Sequence, residues 1–163
     1  MNPVRAYIGL GSNQGDPLLQ LQDALRALAQ LPQSQLIAAS PVYRSRPQGP
    51  QDQPDFLNMA AALDTGLEPL DLLDQLQHIE QVQGRQRLRH WGPRTLDLDL
   101  ILLDRQVIDL PRLQVPHPQL SQRDFVLQPL LDLDPSLTLP DGTALADLRQ
   151  RCPDFGLTVL SQL

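Results

Sequence analysis

The chain has 163 residues, of which 41% are hydrophobic, and a formal net charge of -6. That length and apolar share fit a single domain over residues 1–163 with a real core and exclude wholesale disorder, while the acidic balance argues against general nucleic-acid binding. No apolar run approaches a membrane span, and the N-terminus lacks the basic and apolar regions of a secretion signal, so a cytoplasmic location is expected; the single cysteine, Cys152, allows no internal disulfide.

Val4 to Gly9 reads as a short buried strand. Gly9-Leu-Gly-Ser-Asn-Gln-Gly15 follows, with Ser12 and Asn13 placed to border a ligand. The third glycine stands one residue late for a dinucleotide-binding loop, and no acidic residue lies about twenty positions on, so a tight turn is expected instead. Asp16 suits an N-cap and Pro17 the first helical position. Leu18, Leu21, Leu25 and Leu28 then mark the buried face of a helix.

Leu36 to Tyr43 reads as a second strand and Phe56 to Leu63 as a third. Between them runs a loop rich in Pro, Gly and Gln, residues 44 to 55, of the length that more often carries function than none. Glu68-Pro69 opens a second helix with Leu72, Leu73, Leu76 and Ile79 as its apolar stripe and Gly84 as its expected stop. Gln77 and Glu80 share a flank of that helix.

There is no lysine, so all thirteen basic residues are arginine, and Arg85, Arg87, Arg89 and Arg94 fall within ten positions. An acidic protein that gathers its arginines this way holds a local anion site. It also has no lysine for a Schiff base or a phosphate loop. Leu96 to Leu103 reads as a strand whose alternation puts Asp97 and Asp99 on one face, about 7 Å apart, and Leu96, Leu98 and Leu100 on the other. Two neighbouring carboxylates repel, so cations are expected between them. A hard divalent metal and a structural pairing with the arginines both satisfy the spacing.

Beyond a turn at Asp104, Val107-Ile108 can start an edge strand, and Arg112 to Pro118 is extended. Ser121 is a candidate cap for a helix holding Phe125, Val126 and Leu127, and a short helix is expected near Ala144 to Arg151. The tail after Pro153 carries no signal. The resulting β-α-β-β-α-β order is that of a ferredoxin-like sandwich, an α+β fold with a mostly antiparallel sheet, here with a C-terminal extension. Two helices would cover one face and leave the other for ligands under loops.

The histidines (His78, His90, His117) and Cys152 show no zinc spacing, and no nucleophile motif is present. Glycosidase carboxylates face each other across a cleft and do not stand two apart on one strand. Phosphoryl-type transfer fits better, because it asks for positioning and cationic stabilisation more than for a protein nucleophile. A non-catalytic binding module on the same fold is the competing class. An RNA-binding sandwich would need exposed strand aromatics, and aromatics make up only 4% of the chain.

His90-Trp-Gly-Pro-Arg-Thr-Leu-Asp-Leu-Asp-Leu-Ile101 resembles the signature of the 6-hydroxymethyl-7,8-dihydropterin pyrophosphokinase family. Tyr7 to Asn13, Gly49 to Asn58, Gln83-Gly-Arg85, Val115-Pro-His117 and Arg123-Asp-Phe125 resemble its other motifs, in order. The resemblance implies a monomer that moves diphosphate from ATP to the pterin alcohol, releasing AMP, with two magnesium ions. It implies that Asp97 and Asp99 hold the magnesium and that Arg85 and Arg94 assist transfer. Arg87 would add a phosphate contact. Gln77, Glu80, Leu100, Arg112, His117 and Arg123 would line the nucleotide site. Phe56 and Phe125 would sandwich the pterin, Asn58 read its polar edge beside Ser45, and Trp91 close over the substrates. The chain departs from the family pattern at Arg46, Gln48, His90, Gln114 and Pro118, and Phe56 lacks a hydroxyl that many members carry.

Overall fold

Strand β4 (Phe56–Thr65) is the axis of the sheet: β1 (Val4–Ser12) runs antiparallel along one side, and β2 (Ser34–Ala39) and β3 (Val42–Ser45) follow each other along the opposite side. The computed structural model describes residues 3–46, 55–85, 96–154 and 156–161. Helix α1 (Pro17–Ala29) joins β1 to β2, and α2 (Pro69–Arg85) joins β4 to β5 (Asp97–Leu103), which pairs antiparallel with β1. Two short strands, β6 (Ile108–Asp109) and β7 (Gln114–Val115), form a separate ribbon beside β5. Helices α3 (Asp124–Leu133) and α4 (Leu145–Arg151) follow, and β8 (Thr158–Ser161) returns to pair with β3. Across the main sheet the order is β5-β1-β4-β3-β8, with β2 also on β4. The fold is α+β, and among the described residues every ladder is antiparallel.

Alternation along the strands makes two cores. Ala6, Ile8 and Leu10 of β1, Met59 and Leu63 of β4, and Leu98 and Leu100 of β5 face Leu21, Leu28, Leu72 and Leu76 of α1 and α2. The expected face of α1 is the one buried, and the Asp16 side chain accepts from the Leu19 N–H at 3.2 Å as its cap, with Pro17 at the start. On the opposite face Tyr7, Ala60 and Ala62 meet Leu127 and Leu130 of α3 and Leu145 of α4. A register shift between Tyr7 and Ile8 against β5 lets both Ile101 and Leu102 join this second core.

Several expectations are corrected. β1 does not end at Gly9; it runs through Gly9 and Gly11 to Ser12, because pairing on both edges outweighs the weak strand preference of glycine. The single strand expected from Leu36 to Tyr43 is two, broken at Ser40-Pro41. Proline has no N–H to give, and Ser40 bridges the gap: its N–H donates to the Ala60 carbonyl at 2.8 Å and its hydroxyl accepts from the Ala60 N–H at 2.9 Å. Helix α2 passes through Gly84 to Arg85. Ser121 lies in a short 3₁₀ turn (Leu120–Gln122), and α3 begins at Asp124 behind an extended Arg123.

The second face is not left to loops. Helices α3 and α4 cover part of it, and the tail that carried no signal supplies β8. The Tyr43 hydroxyl donates to the Asp132 carboxylate, tying β3 to α3. Burial first and that carboxylate second push the Tyr43 phenol up to about 12, so it stays a neutral donor at ordinary pH.

Candidate active site over a glycine floor

Where α3 and α4 stop covering the second face, a cavity of about 240 Å³ opens. Its floor is bare because Gly9 and Gly11 sit in the central strand. Register places Gly11 between Asp97 of β5 and Asn58 of β4, and Gly9 between Asp99 and Ala60. Side chains directly opposite in a ladder share a face, so Asp97 and Asp99 look onto the same floor as Asn58. A Cβ at Gly11 would stand 3.0 Å from the Asn58 Oδ1, and one at Gly9 would stand 3.4 Å from the Ile101 side chain. At Gly11 a Cβ would crowd the Asn58 amide, whereas at Gly9 it would make an ordinary contact with Ile101 and fill part of the floor; neither glycine has a positive φ.

One wall is Ser45, Arg46 and Phe56; the opposite wall is Arg123, Phe125 and Val126 at the start of α3. Asn58 is 7% exposed and its Nδ2 donates to the Ser45 hydroxyl at 2.8 Å, which fixes the amide and leaves Oδ1 turned to the floor. The Arg123 guanidinium lies 5.7 Å from the Phe125 ring centroid and also donates to the Gln119 side chain.

The edge strand that carries the aspartates is anchored from outside the sheet at two points. The Glu80 carboxylate of α2 accepts from the Leu98 N–H at 2.8 Å, between the two aspartates, and the His117 N–H donates to the Ile101 carbonyl at 3.0 Å. Asp97 and Asp99 are both half-buried. Replacing Glu80 by Ala is expected to lower stability by about 1–3 kcal/mol, since it strands a strand N–H that was bonded to a charge. Glu80→Gln keeps an acceptor and should retain most of it. Urea unfolding of both variants checks this, and equal losses would show that the acceptor is not what matters.

The sequence-derived candidates therefore divide. Asp97, Asp99, Ser45, Phe56, Asn58, Arg123 and Phe125 converge on the cavity. Gln77 and Arg112 form a second group at the surface: Arg112 Nη2 donates to Asp74 at 2.5 Å and to the Gln77 Oε1 at 3.2 Å. His117 is half-buried near Asp99 and Arg123, and its Nδ1 accepts from the Gln119 N–H at 3.2 Å. Burial pushes its imidazole below the ordinary value, helped by Arg123 and opposed by Asp99, so the ring is neutral at pH 7. The Leu100 side chain is 4% exposed in the helix-side core, so it has only backbone to offer a ligand. Arg87, Trp91 and Arg94 lie outside the described residues, and Arg85 is described only as the last backbone position of α2. Gly9, Gly11 and Arg46 also line the cavity and were not among the expected site residues. The glycines carried a signal in their spacing of two, which places both on one face of a strand.

Among the described residues no three His, Cys, Asp or Glu side chains gather. Two half-buried carboxylates over a floor without Cβ atoms fit magnesium, which takes one or two carboxylates and fills its octahedron with water and phosphate oxygens.

The family model described as 7,8-dihydro-6-hydroxymethylpterin-pyrophosphokinase matches residues 7–135. A Pseudomonas aeruginosa protein named 2-amino-4-hydroxy-6-hydroxymethyldihydropteridine pyrophosphokinase is 56% identical over 153 residues, covering 94% of each chain. A Haemophilus influenzae protein of the same name is 45% identical over 158 residues, covering 97% of this chain and 99% of its own. Among solved structures, Plasmodium falciparum HPPK-DHPS with pteroate superposes with a TM-score of 0.74 at 14% identity over 93% of this chain. That likeness speaks to fold alone, and this chain spans 45% of that one.

Proposed function

The chain belongs to the 7,8-dihydro-6-hydroxymethylpterin-pyrophosphokinase family, and we propose that its cavity over Gly9 and Gly11 takes the pterin ring while Asp97 and Asp99 hold two magnesium ions against ATP. The chain is an ATP-dependent pyrophosphokinase: it transfers diphosphate from ATP to 6-hydroxymethyl-7,8-dihydropterin in folate biosynthesis. The observation that carries the site assignment is the shared floor, on which two carboxylates and a fixed amide flank glycines that add no side chain of their own.

A cavity of about 240 Å³ lies below the roughly 300–1,000 Å³ of sites for drug-sized ligands. It suits one flat bicyclic ring and leaves the nucleotide outside. Phe56 and Phe125 supply ring faces, and Asn58, held by Ser45, reads the polar edge. The hydroxymethyl group then points toward the aspartates. Magnesium, when bound, neutralises phosphate charge and polarises the oxygens that gain charge during transfer. Around it the chain's own groups bind and orient. Gln77, Glu80, Arg112, His117, Arg123 and the Leu100 backbone form the nucleotide side. Arg85, Arg87 and Arg94 meet the phosphates, and Trp91 excludes water. The substrate hydroxyl attacks the β-phosphorus, and AMP is the leaving group.

The strand order β5-β1-β4 with β2 and β3 on the far side of β4 supports the ferredoxin-like reading, with α3, α4 and β8 as the C-terminal extension. The two cores share the strands of one sheet, which supports a single domain over residues 1–163. Among the described residues no helix is long and apolar enough to cross a membrane. We read the protein as a cytoplasmic monomer whose partners are small molecules, with no nucleic acid or membrane among them. Incubation with ATP, magnesium and the pterin alcohol is expected to yield AMP. ADP as the product, or no turnover, would overturn the assignment.

A further inference from the structure

We propose that the C-terminal tail is part of the pterin pocket, with Asp154 and Gly156 fixing the arm of Arg46 as a substrate-positioning wall. This rests on reading the cavity as the pterin site. Arg46 follows β3 directly and lines the cavity beside Ser45 and Phe56. A lone exposed arginine would sample many rotamers and wall off nothing, because ordering such a chain is entropically costly. Here the tail removes that freedom. The Arg46 Nη2 donates to the Asp154 carbonyl at 3.0 Å. The arm then passes over Gly156 so closely that a Cβ there would stand 2.9 Å from Nε, 3.4 Å from Cδ and 3.5 Å from Cγ.

The turn itself is built for this. The Asp154 carboxylate accepts from the Gly156 N–H at 2.7 Å while its carbonyl holds Arg46. Gly156 has a φ of 67°, in the region that favours glycine. Strand β8 sets the distance, since Thr158 pairs with Arg44 and Val159 with Tyr43, which brings the preceding turn level with Arg46. Asp154 is thus a residue with two hands, one closing the tail's turn and one gripping the pocket wall. Among the described residues the tail meets the cavity lining through Arg46.

The test is steady-state kinetics on the full-length protein for Gly156→Ala, Gly156→Asn, Arg46→Ala and the Arg46→Ala/Gly156→Ala double variant. Each single change is expected to raise the KM for the pterin by about three- to tenfold, the range that loss of one exposed hydrogen bond and its ordering allows. The KM for ATP should move less. Asn tolerates positive φ, so Gly156→Asn separates the contact with Arg46 from backbone strain and stays informative if Gly156→Ala folds poorly. The double variant should be no worse than Arg46→Ala alone, because the tail has nothing left to position. Additive effects, or an unmoved pterin KM in the Gly156 variants, would overturn the proposal. Phe56→Ala is the control. If it raises the pterin KM and the Gly156 variants do not, the tail inference alone fails; if it leaves the pterin KM unchanged, the pocket assignment fails and this inference with it.

Discussion

Replacing either Asp97 or Asp99 by Asn is expected to lower kcat by about a thousandfold, roughly 4 kcal/mol of transition-state stabilisation. Asn keeps the volume of Asp and removes its charge, so the change isolates electrostatics. No side chain of β1 can take over the lost charge, since glycines lie opposite both positions. Binding of the pterin alone should change little, because the residues proposed to hold the ring, Phe56, Phe125 and Asn58, line the cavity apart from β5. Turnover at saturating ATP and pterin, with magnesium varied over a wide range, is the measurement. Near-normal kcat in both variants would remove the aspartates from the chemistry. A fall in only one would leave a single-carboxylate site.

The aspartate pair is legible in the sequence because a strand's period of two is strict. Asp16 and Pro17 are legible for a similar reason, since an N-cap is local chemistry read over four residues. Features decided at a distance are not. Ser121 has the right side chain for a cap, but the chain there closes a 3₁₀ turn, and α3 starts where its apolar face meets β4. Thr158 to Ser161 is four residues with no pattern of its own, and only the open edge of β3 makes it a strand. The break at Ser40-Pro41 is visible in the proline, yet its repair by the Ser40 hydroxyl depends on Ala60, twenty residues on. The same split runs through the site. Phe56, Asn58 and Phe125 come from motifs. That they share one cavity with Arg46, while Arg112 and Gln77 stand elsewhere, follows from how β3, β4 and α3 meet.

Leu127→Ala is expected to cost about 2–5 kcal/mol of folding stability, the range for emptying a fully packed leucine site. Leu127 is 0% exposed and packs in the second core with Tyr7, Ala60, Ile101 and Leu130. Helix α3 has ten residues, no side-chain cap and an internal proline, Pro129. A helix that short is marginal by itself, so nearly all its stability comes from docking. The same helix presents Phe125 and Val126 to the cavity, with Arg123 just ahead of its first turn. The cavity left at Leu127 should therefore loosen one wall of the proposed pterin site as well as weaken the fold. Leu127→Met, which conserves volume, should cost under about 1.5 kcal/mol. Urea unfolding of both variants, with and without the pterin, reads both effects. Ligand that binds the folded state alone stabilises by mass action, and the gain shrinks as its affinity falls. A smaller pterin-induced shift in Leu127→Ala than in the wild type is the expected result. An equal shift beside a large loss of stability would mean that Phe125 is placed by its own contacts and not by the helix behind it. A stability loss below about 1 kcal/mol would mean that α3 is not docked through Leu127 at all.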